Sequence, residues 1–439
     1  MLQRKRLAEH VHFGSCTCAS VNRRTVRRVL TFGGRMRATR RGRWVVGMLV
    51  GGTALGVAAC GDDDGASTMP PPPPPGSDAA LPPPTPAPTP PGPPAPPPPP
   101  PEPVGLPVLG AGSNSSSGVE LVTIVSAEHG LATPRDVAFN PERPEQMWVI
   151  NHADHSMVIV LNPGTEAQES MRRSGFGSDH FMSQPAALAF GDPGLLATAQ
   201  EEDEITQPTT PADFMGPSLF TSDIEIFDGG HDSHLDMLHN SPNSAGIAWD
   251  SGNAYWVFDG WHRSLTLYDF NQDHGLGGTD HEDGEVYRYV EGQVSYVPGV
   301  SSHMQVDHAT GLLYVADTGN ARIAVLDRTP AVMGGRISPN YDGTVQRMMD
   351  GATLTTLIDG TVHGFIRPSG LVLHDGMIFF SDNEWSRVFA FTTSGELVDW
   401  IDLSAEVAPG SLMGMDVDAQ GRLYVVDAVG QRVLRLAPR

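Results

Sequence analysis

The sequence predicts an all-β fold, a six-bladed β-propeller, and three observations carry that prediction. One pattern recurs six times between residues 134 and 437, at spacings of about 44 to 67 residues. Each copy is a turn residue, a short apolar alternation, and then strand, tight turn and strand, with no helical periodicity. The strands are also unevenly shared at the two ends: the last copy stops after three, while ELVTIVS (120–126) stands alone before the first. Repeats of this length made only of strands form propellers or solenoids. A displaced N-terminal strand that completes the last blade closes the ring and hides an edge.

The clearest copy is HMQVDHATGLLYVADTGNARIAVLD (303–327). HMQV alternates, DHATG is a polar turn ending in glycine, LLYVAD is apolar and β-branched, TGNA turns the chain, and RIAVL alternates again. The first halves of the six copies read PRDVAF (134–139), QPAALAF (184–190), SAGIAWD (244–250), SHMQVD (302–307), PSGLVLHDG (368–376) and LMGMDVDAQG (412–421). Among the second halves, MWVINHADHSMVIVL (147–161) aligns with LYVADTGNARIAVLD (313–327) without a gap. YWVFDGWHRSLTLYD (255–269), IFFSDNEWSRVFAFT (378–392) and LYVVDAVGQRVLRLA (423–437) follow suit. The second copy is interrupted: LLATAQ (195–200) and DIEIFD (223–228) read as its strands, around a long polar insertion. The apolar end of that insertion, FMGPSLF (214–220), is a candidate cover for a channel mouth.

Upstream of the repeats the chain reads as an address. Arg37, Arg40, Arg41 and Arg43 precede WVVGMLVGGTALGVAA (44–59), an apolar run short for a membrane span. Val57-Ala58-Ala59-Cys60 resembles the lipobox of bacterial lipoproteins. The resemblance implies cleavage before Cys60, its diacylation, and anchoring to a membrane at the cell envelope. Residues 1–60 form this signal region, with Met36 as a candidate start because the preceding stretch is long and arginine-rich for a leader. Residues 61–118 are expected to be a disordered tether. Residues 69–107 are mostly proline, a polyproline II spacer, and GAGSNSSSG (110–118) reads as a flexible joint. Residues 119–439 are the propeller. Cys16 and Cys18 fall within the removed leader, so the mature domain holds no free thiol and no disulfide.

Charge narrows the partners. After Cys60 the chain has 16 Arg, no Lys, and 50 Asp plus Glu, about −34 formally. Such a surface repels phosphate backbones, which excludes nucleic acid as a partner and favours cations.

The repeats resemble the NHL-repeat β-propellers across 119–436. The motif that carries the likeness is Asp-x-x-x-x-Arg, present as Asp317/Arg322, Asp382/Arg387 and Asp427/Arg432. The resemblance implies that these pairs brace the turn between the two middle strands of a blade. Asn151/Ser156 and Asp259/Ser264 stand at the same place, so those two blades must hold their turns otherwise. Peptidyl-amidating lyases are propellers of this type, with zinc held by a histidine at the entry of three inner strands. The corresponding positions here are Arg135, Ala186, Ala245, Ser302, Ser369 and Met413, so that ligand set does not carry over.

Two groups of residues could still carry chemistry. On the face where the chain enters the inner strands lie His152, His155, Trp261, His262 and Trp385, with His239, His303 and His363 near strand entries. Neutral imidazoles converging on a channel would suit Zn²⁺ or another transition metal. On the opposite face, GGHDSHLDMLHNSP (229–242) and NQDHGLGGTDHEDGE (271–285) gather His231, Asp232, Asp273, His274, Asp280, His281, Glu282 and Asp283 on adjacent blades. Carboxylates among glycines suit Ca²⁺, and histidines beside them a transition metal. The chain has no G-x-S-x-G, P-loop or H-E-x-x-H motif. These features favour a lipid-anchored module that binds a small molecule or a protein at the envelope. A metal-dependent propeller enzyme of lyase, lactonase or sugar-oxidising type is the alternative, and a structural role in the envelope the third reading.

Overall fold

Strand β1 (Val119–Ser126) begins the ring and belongs to its last blade. The computed structural model describes residues 105–174, 177–203, 216–227 and 233–439, within one compact unit. The signal region, Cys60 and nearly all of the tether lie outside the described residues.

Blade 1 is β2 (Pro134–Asn140), β3 (Arg143–Asn151), β4 (Ser156–Leu161) and β5 (Glu169–Arg173). Blade 2 is β6 (Pro185–Phe190), β7 (Leu195–Gln200), β8 (Ser218–Thr221) and β9 (His234–Met237). Blade 3 opens with β10 (Ser244–Ser251), β11 (Ala254–Asp259), β12 (Ser264–Asp269) and β13 (Glu285–Tyr289). In blade 4, β14 (Met304–Asp307), β15 (Leu312–Asp317) and β16 (Arg322–Asp327) are followed by a hairpin, β17 (Val332–Arg336) and β18 (Val345–Asp350), and then by the outer strand β19 (Thr353–Asp359). Blade 5 is β20 (Pro368–His374), β21 (Met377–Asp382), β22 (Arg387–Thr392) and β23 (Leu397–Asp402). Blade 6 is β24 (Leu412–Val417), β25 (Leu423–Asp427) and β26 (Arg432–Pro438), completed by β1 antiparallel to β26. The ring is a six-bladed propeller closed by its N-terminal strand.

The middle strands are continuous apolar runs because both of their faces are buried between blades. On β3, Met147 and Val149 point into the cluster shared with blade 6, while Trp148 and Ile150 point into the cluster shared with blade 2. Six apolar clusters fill the six interfaces, the one between blades 6 and 1 included. Closure is thus a packed core as well as a strand pairing.

The turn between second and third strands has one shape in five blades. The residue before the third strand is left-handed at His155, Arg263, Ala321, Ser386 and Gln431, with φ between 49° and 54° and no glycine among them. The buried side chain ending the second strand ties this turn down. Asp317 accepts from Arg322 Nε at 2.7 Å, and Asp427 from Arg432 Nε at 2.8 Å. In blade 1, Asn151 donates to Ser156 Oγ at 2.9 Å. In blade 3, Asp259 takes Ser241 Oγ and His262 Nδ1, at 2.9 and 2.8 Å.

Four expectations are corrected. Arg387 does not bond Asp382: it turns to Asp402 at 3.4 Å and lies over the Trp400 ring, while Asp382 accepts the Ile366 and Arg367 amides. DIEIFD does not supply a strand, since Ile224–Phe227 is a single helical turn. The third strand of blade 2 is β8, within the stretch read as a cover; Leu219 and Phe220 are buried in the blade core rather than placed over a mouth. The segment 110–118 is no flexible joint. Leu109 is fully buried against blade 6, Asp399 accepts the Leu106 and Gly112 amides, and Asn114 donates to the Trp400 carbonyl. The ordered domain therefore starts by Gly105.

The hairpin β17–β18 has no counterpart in the other copies among the described residues. Strand β18 pairs parallel to β13, so an insertion of blade 4 widens blade 3 to six strands. This carries Asp342, in the hairpin's turn, across to blade 3.

Candidate functional site

The inner strands meet at the axis, and two aligned layers of side chains decide what the channel can hold. The second layer from the entry face is Asp136, Ala187, Gly246, His303, Gly370 and Gly414. Only Asp136 and His303 are large, and they stand on opposite blades. Their side chains meet across the axis, His303 Nδ1 to Asp136 Oδ2 at 3.3 Å. Glycine is required where backbones touch here: a Cβ on Gly246 would strike the Ser302 carbonyl, and one on Gly370 the Met413 carbonyl.

The layer above closes the entry mouth. Arg135 donates to the Gly299 carbonyl and lies 3.7 Å from Glu201. Glu201 also accepts the Gly299 amide and sits 3.5 Å from His152 Nε2. Burial pushes the Glu201 carboxyl up, but His152, the Gly299 amide and the Arg135 charge outweigh it and hold the group below the usual carboxylate range. Ser369 Oγ and Thr318 Oγ1 add bonds to the Ser301 and Pro368 carbonyls, both at 2.7 Å. The entry end is a bonded plug.

The exit end is open. The far halves of all six inner strands line a cavity of about 470 Å³. Its walls are mostly apolar, with Phe139, Phe190 and Trp249 near the mouth, and its polar groups include Asp416, Gln305 and His308. Asp416 accepts the Phe139 and Val417 amides at 2.7 and 2.8 Å, yet burial pushes its carboxyl up to about 6. Burial raises the carboxyl of Asp136, at the floor, well above its ordinary value despite its accepting the Leu188 and Val137 amides.

Burial likewise pushes the His303 imidazole down to about 3, partly offset by the Arg135 carbonyl. Burial thus raises the Asp136 carboxyl and lowers the His303 imidazole across the axis, and the second shift has a pH signature. Below the free value of 6.5 the unfolded chain binds a proton that the folded chain refuses. The stability tied to His303 is full above pH 6.5 and is lost as pH falls toward 3. From pH 7 to pH 5 this loss is about 2 kcal/mol. Asp416 has the opposite sign: its contribution is full near pH 4 and is lost as pH rises through about 6. Denaturant melts of His303→Gln at both pH values are expected to show the acid penalty reduced by about 2 kcal/mol. An unchanged pH dependence would place the proton elsewhere.

The second candidate is at the rim on the exit side, where blade 2 meets blade 3. Strand β9 presents His234 and Asp236, two residues apart and so on one face. The connection between β12 and β13 folds across it, pinned by the His274 amide donating to the Leu235 carbonyl at 3.1 Å. His281 Nδ1 lies 2.7 Å from Asp236 Oδ1. The His234 and His274 rings are 4.9 Å apart, and His274 and His281 5.0 Å. His234 stacks on Phe181 at 3.9 Å, and burial with the neighbouring His274 and His281 pushes its imidazole down to about 3. One donor atom each from Asp236, His274 and His281 falls within 4.8 Å of the others. Next to them His239 Nδ1 meets Asp342 Oδ1 at 2.5 Å beneath the inserted hairpin.

The structure thus sorts the residues singled out in the sequence. His274 and His281 come together. Their acidic neighbours do not join them: Asp280 accepts the Glu282 amide, and Asp283 the Gln272 amide, within the loop. His231 and Asp232 lie outside the described residues. His303 and His363 are not brought together, because His303 is buried at the axis and His363 packs edge-on to Phe391 at 4.9 Å. His262 braces its own turn through Asp259. Trp261 and Trp385 are exposed. The sequence reading missed His234 and Asp236, although their i, i+2 spacing in a strand was a usable signal.

No family model matches the chain, and no curated protein matches it. Solved structures resemble it in outline. An auxiliary nutrient binding protein from Bacteroides ovatus is 14% identical over 73% of this chain and 76% of that one, with a TM-score of 0.47. A protein of the same description from Bacteroides thetaiotaomicron is 10% identical over the same shares, also at 0.47. Virginiamycin B lyase from Staphylococcus aureus is 9% identical over 73% of this chain and 98% of that one, at 0.43. The propeller assignment rests on the strand pairing, not on these likenesses.

Proposed function

We propose that this chain is a ligand-binding propeller of the bacterial cell envelope, anchored to a membrane through a lipidated Cys60 and raised on its proline-rich tether. The observation that carries the reading is the one-ended channel. A cavity of about 470 Å³, plugged at one face and open at the other, lies within the range of small-molecule sites, about 300–1,000 Å³. Its aromatic and aliphatic walls with a few carboxyl and amide groups suit an uncharged or cationic molecule with an apolar face. The strongly acidic surface disfavours anions.

The test is a thermal-shift screen of small amines, polyols and sugars, carboxylates and phosphates against the purified protein. Stabilising compounds are expected among the first two groups only. Their effect is expected to vanish in Trp249→Ala and to persist in His363→Ala. Stabilisation that survives undiminished in Trp249→Ala would remove the cavity from the account.

One observation favours an enzyme of the lyase, lactonase or sugar-oxidising sort. Asp416, with its carboxyl pushed up to about 6, lines the same cavity as the uncharged His303 imidazole, and perturbed acid–base groups cluster at reactive sites. On that reading Asp416→Asn binds the compound but no longer converts it.

A further inference from the structure

We propose that Asp236, His274 and His281 form a binding site for a borderline divalent transition metal, zinc in the first instance, which staples the outer strand of blade 2 to the exit-side loop of blade 3. This stands apart from the channel reading and uses none of its residues. Three observations carry it.

The donor set has the right chemistry and reach. Two imidazoles and one carboxylate are the set that three-ligand zinc sites use, with a fourth position left for water or a further side chain. Their donor atoms lie within 4.8 Å of one another, while a tetrahedral zinc with bonds near 2.0–2.1 Å needs them roughly 3.3 Å apart. Torsion of the two loop histidines about the fixed, buried Asp236, closing the widest separation by about 1.5 Å, completes the site. Calcium is the poorer fit: it takes six to eight oxygens, and this group of three supplies one carboxylate.

His274 is already oriented as a ligand. Its Nδ1 donates to the Gly275 carbonyl at 2.6 Å, which leaves the lone pair on Nε2. That Nε2 is shielded from solvent and has no hydrogen-bond partner among the described residues. A backbone carbonyl on the far nitrogen is how proteins fix the tautomer of a metal-bound histidine.

The loop is shaped around that ring. A Cβ on Gly278 would strike the His274 carbonyl and come within 2.8 Å of its Nδ1, so glycine makes the seat possible. The His274 amide on the Leu235 carbonyl fixes the loop at the strand that carries Asp236. An open recess whose lining includes His239, Asp280, His281, Glu282 and Asp342 adjoins the site, giving a cation an acidic approach.

The experiment uses the full chain, stripped with a chelator and titrated with Zn²⁺ or Co²⁺ alone. Calorimetry is expected to show one equivalent of Zn²⁺ bound well above any background, and Co²⁺ to give the visible bands of a four-coordinate site. His274→Ala is expected to lose at least about 100-fold in affinity, more than the 10–100-fold that outer-shell changes cost. His281→Gln should do the same, while His363→Ala should bind as the parent does. Each variant is melted without metal, so that a folding defect is seen directly. Should His274→Ala melt as the parent does and still bind Zn²⁺ with the parent's affinity, or should the parent bind none, the site is refuted. Should both histidine variants unfold, His274→Asn and Gly278→Ala, which disturb the same ring by smaller changes, must weaken binding for the proposal to stand.

Discussion

Deleting residues 105–126 is expected to abolish cooperative folding of the propeller. The deletion removes β1 and the segment docked before it. Seven residue pairs between β1 and β26 are lost, and β26 becomes a bare edge. It also removes four buried apolar side chains, Leu109, Val119, Ile124 and Val125, each at most 4% exposed, and bares the blade 6 surface they cover. At about 1.5–3 kcal/mol each, their burial is worth roughly 6–12 kcal/mol. A whole domain is stable by only about 5–15 kcal/mol, so the loss is comparable to the total. Thermal melts followed by circular dichroism check this. The expected trace is broad or absent, with aggregation through the exposed edge. A sharp transition within a few degrees of the parent would mean that the ring closes without β1.

The second large effect is expected at the entry plug. Arg135→Ala leaves Glu201 buried beside His152 without its guanidinium and leaves the Gly299 carbonyl without its donor. Removing one partner of a buried ion pair costs about 3–5 kcal/mol. In a domain of this size that corresponds to a fall in Tm of roughly 4–7 °C. Most of the cost is the stranded carboxylate, so Glu201→Gln in the Arg135→Ala background is expected to recover part of it. Equal melting of the single and double variants would show that the pair contributes by packing rather than by charge.

The fold was legible because a blade is local. Its strands follow one another in sequence, so period-2 alternation and turn residues expose each hairpin, and the orphan strand at 120–126 reveals the closure. What escaped is non-local. The β17–β18 hairpin pairs parallel with the neighbouring blade, which leaves no periodic signal in its own repeat. In blade 2, DIEIFD has the alternation of a strand, but SLFT takes the pairing with β7, and Phe227, at the end of the helical turn, packs into the blade 1–2 interface instead. Arg387 kept the motif and lost the bond, because in blade 5 Trp400 and Asp402 offer it a ring and a carboxylate on the adjacent strand.

The site was half legible for the same reason. Reading one column of the aligned copies excludes a histidine triad at the strand entries. Reading the next column places Asp136 and His303 alone among three glycines and one alanine, which is the signature of a pair filling the axis. The rim group could be placed on adjacent blades from the sequence, since both loops leave the same face. Which of its acidic residues turns inward depends on the register of β9, and this selects Asp236 over Asp280 and Asp283.

The central claim is that the channel is sealed at the entry face and open at the exit face. The propeller has no cysteine of its own, the three of the chain lying at or before Cys60, so an introduced thiol followed by mass spectrometry of its own peptide reports its own surroundings. The measurement is the rate of modification by a small thiol reagent in two variants, Gln305→Cys in the exit cavity and Ser369→Cys at the fully buried entry layer. Modification at the buried layer has to wait for local opening, so Gln305→Cys is expected to react faster by roughly 100-fold. Adding Arg135→Ala should raise the rate at the entry position and leave the cavity position unchanged. Equal rates in the two single variants, or a faster rate at the entry layer, would contradict a one-ended channel and with it the binding site proposed at its open end.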